Sequence, residues 1–140
     1  MMRRIAGWES ALFDATRAAM PRAYEWGVHD CVTFAADCVE AMTGSDPIAD
    51  LRGHWRGPVS ARRIMTEEGA DTLGDLAAQR LPEIAPSLAQ RGDIVLCKGD
   101  GDSDEEFLAV CQGHTAVGPA ANGLIHVPMA QAKRAYRVGD

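Results

Sequence analysis

Apolar positions recur at helical spacing in the first half of the chain and at strand spacing in the second. Ala11, Leu12, Ala15, Ala18 and Ala19 share one face of a segment from about residue 8 to residue 19, which Pro21 ends. This pattern predicts a first helix with a small, close-packing face. Cys31, Phe34, Ala35, Cys38 and Met42, flanked by Val39, form the buried stripe of a second helix over 31–43. Gly27 breaks the chain ahead of it, Asp30 is its N-cap and Gly44 its stop. A loop with Pro47, Gly53, Gly57 and Pro58 spans 44–59. Ser60 is expected to cap a short helix to about residue 68, and another runs from 72 to 80. Pro82 and Pro86 end the helical half.

From Arg91 onward the pattern is that of strands: 93–98, 107–112, 114–117, 124–127 and 133–138, with Asn122-Gly123 as a hairpin signal. Helices first and antiparallel strands afterwards predict an α+β fold with segregated layers. The chain shows no internal repeat and no linker, so residues 1–140 read as one domain.

Composition adds limits. The chain is 46% hydrophobic and 24% charged, with a net charge of −6. These are values of an ordinary globular protein, and the acidity argues against nonspecific nucleic-acid binding. No apolar run approaches the ~20 residues that span a bilayer, so no membrane partner is expected. Met1-Met2-Arg3-Arg4 is basic, but Glu9 and Asp14 interrupt the stretch after it, so no signal peptide is read. Cytoplasmic synthesis and four reduced thiols are the expectation.

The candidate chemistry centres on Cys31. At a helix start, unpaired N–H groups and the helix dipole favour a thiolate, which is one way to make a nucleophile. Cys38, Cys97 and Cys111 do not extend it to a metal site. Cys31 and Cys38 would sit ~10.5 Å apart along one helix axis, and no Cys-x-x-Cys occurs. Buried thiols, no metal and no cofactor are expected. Asp100, Asp102 and Asp104 have the spacing of a calcium loop, but Glu105 stands where such a loop has glycine and Cys111 where it has glutamate. A solvated acidic turn is the expectation. Trp8, Trp26 and Trp55 read as core and loop anchors, with a sugar-binding cleft as the alternative.

The segment Tyr24-Glu-Trp-Gly-Val-His-Asp-Cys-Val-Thr-Phe-Ala resembles the nucleophile motif of NlpC/P60 papain-like peptidases, in particular those of phage tails. Arg91-Gly-Asp-Ile-Val-Leu resembles that family's entry into its first core strand, and Gly123-Leu-Ile-His-Val-Pro a later strand whose histidine orients the catalytic base. The ending Lys133-Arg-Ala-Tyr-Arg-Val is similar to that of a small NlpC/P60-like group of phage and prophage proteins. The resemblance implies a papain-like fold, helices packed on a small antiparallel sheet or half-barrel, with Cys31 as nucleophile. It departs at the base. The family's His-Val-Gly-Ile strand aligns with Phe107-Leu-Ala-Val, and phenylalanine cannot accept a proton. Its ring is expected beside Cys31, shielding the sulfur. His126, at the orienting position, and His114, just past the strand, are the candidates for a displaced base; His29 stands two residues before Cys31, and His54 reads as a loop residue.

Two functions are implied. The first is a structural or adaptor component of a phage or prophage tail tip or baseplate, partnered by other tail proteins and located in the virion. The second is an active Cys–His endopeptidase or amidase on peptidoglycan peptide stems, aiding cell-wall penetration. A cellular amidase or acyltransferase on another substrate is a third reading.

Overall fold

The computed structural model describes residues 2–99 and 105–139; the expected calcium-like turn at Asp100, Asp102 and Asp104 therefore falls outside the described residues. Four α-helices come first: α1 (Trp8–Ala19), α2 (Cys31–Thr43), α3 (Pro58–Glu67) and α4 (Leu73–Arg80). The strands β1 (Glu83–Ile84), β2 (Ile94–Lys98), β3 (Glu106–Cys111), β4 (Thr115–Ala120), β5 (Gly123–Pro128) and β6 (Ala132–Tyr136) come next. They form one antiparallel sheet in the order β1-β6-β2-β3-β4-β5. The fold is α+β.

The first two helices fall on their expected bounds because their ends carry strong local signals. Asp30 caps α2 and Gly44, at φ +80°, closes it. α3 departs from expectation. It starts at Pro58, and Ser60 lies inside its first turn. The Ser60 hydroxyl reaches back to accept from the N–H groups of Arg56 and Gly57. Proline suits the first helical position because its missing N–H would be unpaired there anyway. β1 adds to the expected strands; it is two residues between Pro82 and Pro86, paired to β6. β4 runs to Ala120, through Gly118 and Pro119, beyond the expected 114–117.

Strand alternation divides the sheet into two faces. Ile94, Leu96, Leu108, Val110, Val117 and Tyr136 pack against Leu12 of α1 and Phe34, Cys38, Val39 and Met42 of α2. The other face carries mostly small residues. Val95, Cys97, Ala109, Cys111, Ala116, Val127 and Ala135 are buried against one another, with Ile84, Ala89, Phe107, Met129 and Ala132 packed over them and no α-helix in the cluster. A further cluster of Ile48, Leu51, Trp55, Ile64, Ala70 and Leu76 packs on Ala36. The loop after α2, with α3 and α4, thus covers a second side of that helix, and Ala36 joins the buried stripe.

β3 and β4 are joined over a short stretch only. Val110 pairs with Val117 and Cys111 with Ala116, after which the strands part. Pro119 would face Leu108 in a continued ladder, and proline has no N–H to offer.

Candidate functional site

Asp30 organises the approach to Cys31. Its Oδ1 accepts from the N–H groups of Val32 (3.0 Å) and Thr33 (2.9 Å), and the Thr33 hydroxyl accepts from the Asp30 N–H at 2.8 Å. Its Oδ2 accepts from the Gly27 N–H (2.8 Å) and from the indole N–H of Trp55 (2.8 Å). The carboxylate is buried and meets four donors. Gly27, at φ +79°, has no room for a side chain: a Cβ would stand 2.0 Å from the Trp55 carbonyl oxygen. The turn, the loop and the helix start are therefore locked together.

Cys31 is the first residue of α2 and lines a cleft of about 950 Å³ between the helical half and the sheet. One wall comes from Val32, Leu51, Trp55, Ile64, Met65 and Leu76, the other from Phe107, Pro119, Ile125 and Val127. Tyr24 and Trp26 stand near the sulfur's side of the cleft, stacked edge to face at 5.8 Å. The Leu108 N–H, released from the ladder, donates toward the Cys31 sulfur.

Burial pushes Cys31 up to about 11, outweighing the N–H groups of Leu108, Cys31 and Val32 that favour the thiolate; the Asp30 charge adds to the rise. Burial thus opposes the lowering expected from the helix start, by removing water from the thiol. Burial likewise pushes Cys38 up to about 12 and Cys97 up to about 11, and raises Cys111. The Tyr24 phenol is raised by burial first, then by Cys31, Asp30 and Glu105.

Among the described residues, no histidine lines the cleft. His126 is exposed on β5, opposite Val117 on the sheet face that carries the α1 and α2 contacts, and it does not line the cleft. His114 is exposed at the β3–β4 turn, at the far end of β3 from Leu108. His54 is exposed. His29 is sealed; its ring lies edge-on to Phe34 at 6.1 Å and neither ring nitrogen has a hydrogen-bond partner. Burial, then the Arg22 charge, lowers its pKa. The structure does not bring His126 or His114 to Cys31.

Phe107 lines the same cleft as Cys31, but its ring packs with Ala109 and Cys97 on the face away from α2, over Gly118. The ring therefore does not take the expected place beside Cys31 on the α2 side, and Cys31 as a residue is half-buried. Trp55 lines the cleft and holds Asp30, where the sequence reads it as an anchor with a cleft-lining role as the alternative. A lone tryptophan in a loop of glycine and proline is its signal, but nothing local names Asp30 as the partner.

An α+β domain with a cysteine at a helix start, facing an apolar cleft beside an antiparallel sheet, is the class that these features define. Residues 3–138 match the domain family of unknown function DUF6950, and the chain belongs to it. No curated protein matches the chain.

Proposed function

We propose that this chain is a papain-like, NlpC/P60-like domain whose cysteine cleft binds without cleaving, and that it serves as a structural or adaptor component of a phage or prophage tail tip. The placement of Cys31, at a capped helix start against the sheet, supports the papain-like reading. One observation carries the non-catalytic part: the cleft around Cys31 contains no imidazole. A Cys–His mechanism needs a base within hydrogen-bond reach of the sulfur, and all four histidines lie outside the cleft. The thiol, held near 11, stays protonated at neutral pH without one. Docking fits the exposed apolar rim, where Trp26, Val59 and Ile125 meet solvent.

The hydrolase reading keeps one observation, the Leu108 N–H and helix-start N–H groups gathered at the sulfur of a half-buried cysteine that lines the cleft. Digestion of purified sacculi by this protein and by Cys31→Ala, with analysis of released muropeptides, separates the two. Silence from both is expected, with loss of infectious particles on deletion of the whole chain. Cleavage that disappears in Cys31→Ala would restore the hydrolase.

A further inference from the structure

We propose that the cleft beside Cys31 binds a long-chain fatty carboxylate, with its chain between the helical and strand walls and its head group at Arg62. The inference rests on the reading that the cleft binds and does not cleave, and names what it holds.

The volume, about 950 Å³, lies at the upper end of small-ligand sites. The two facing walls are predominantly aliphatic and aromatic, which suits a chain of methylenes: each CH₂ withdrawn from water contributes ~0.8 kcal/mol. A peptide would bring N–H and C=O groups into the same space, and each left unpaired in apolar surroundings is costly.

Charge selects the head group. Among the described residues, the charged groups at the cleft are Asp30, Arg62, Glu105 and Glu106. Asp30 is saturated by its four donors. Glu106 is paired with Lys133 at 2.5 Å, and Glu105 is also engaged. Arg62 is different. It is exposed at the cleft, and among the described residues no carboxylate lies within ion-pair distance of it. An arginine fork without a partner beside an apolar space matches a carboxylate at the end of an apolar chain.

The test uses the full chain and titrates laurate, dodecanol, dodecylammonium and an apolar peptide with a free carboxyl terminus, by displacement of a fluorescent fatty-acid analogue. Laurate should bind with one site per chain and better than dodecylammonium. Arg62→Gln should weaken laurate by roughly tenfold, the loss of one charge-assisted contact, and leave dodecanol unchanged. Ala61→Trp, which fills the cleft, should abolish both. Arg62 is on the surface, so Arg62→Gln gives a folded variant even if Ala61→Trp does not. Failure of laurate to bind, equal binding to wild type and Arg62→Gln, or binding of the peptide alone would overturn the proposal. Sacculus digestion by the same preparation tests the absence of cleavage by a separate readout, so failure of that reading and failure of laurate binding are distinguished.

Discussion

Trp55 donates its indole N–H to the Asp30 carboxylate at 2.8 Å, joining the loop before α3 to the residue that caps the cysteine helix. Both partners are buried. Trp55→Phe takes one of four donors from a buried carboxylate, whereas Asp30→Ala leaves the buried indole N–H unsatisfied, which costs more than the bond itself contributes. Trp55→Phe should therefore destabilise by about 1–3 kcal/mol, and Asp30→Ala by more, since it also removes the cap, itself about 0.5–2 kcal/mol. Urea unfolding of the two variants checks the order.

Gly27 and Gly44 have nearly the same left-handed φ, but only Gly27 faces an obstruction. Gly44→Ala should show the conformational cost alone, about 1–2 kcal/mol. Gly27→Ala adds the collision with the Trp55 carbonyl oxygen and should destabilise clearly more. Equal melting temperatures for the two variants would refute the close approach.

Cys31 alkylation should report its raised pKa. With the thiol near 11, the rate of reaction with iodoacetamide should climb about tenfold per pH unit from neutrality up to that region, following the thiolate fraction. Cys31→Ala should remove the fast-reacting site, because the other three cysteines are buried. A rate that is already flat at neutral pH would mean an activated thiol.

His29 should make the fold acid-sensitive. Its folded pKa is lowered below the ordinary 6.5, so on acidification the unfolded chain takes up the proton first. Its contribution is complete above about 6.5 and is lost as pH falls from there toward the folded pKa. In the window just below 6.5, His29→Phe should show a flatter dependence of stability on pH than the wild type. The variant isolates His29 from carboxylates such as Asp50, whose lowered pKa acts in a more acidic window. Parallel curves would mean that the imidazole finds a partner on protonation.

The features legible in the sequence were local. Asp30, Gly44 and Pro21 bound their helices within a few residues of chain, and the structure agrees with them. The strand carrying His126 was also readable, but whether the imidazole reaches Cys31 was not, and the structure leaves it outside the cleft. The features that escaped were set by residues far apart. The ionisation of Cys31 depends on the sheet that dries it, and the helix-start argument considered only its own turn. β1 is too short for alternation to register, and its pairing partner lies some fifty residues on. Trp55 meets Asp30 from a loop 25 residues away.

The parting of β3 from β4 has a dynamic consequence. β4 and β5 share six residue pairs and β2 and β3 share five, yet only two pairs join β3 to β4. The β4–β5 hairpin is thus a leaf hinged to the rest of the sheet by a narrow seam, the natural boundary of a cooperative unit. Its amides should exchange with solvent through a subglobal opening, ahead of those shared by β2 with β3 and β6. Because Pro119, Ile125 and Val127 belong to this leaf and form a wall of the cleft, the same fluctuation that unprotects the hairpin is the one that widens the entrance to Cys31.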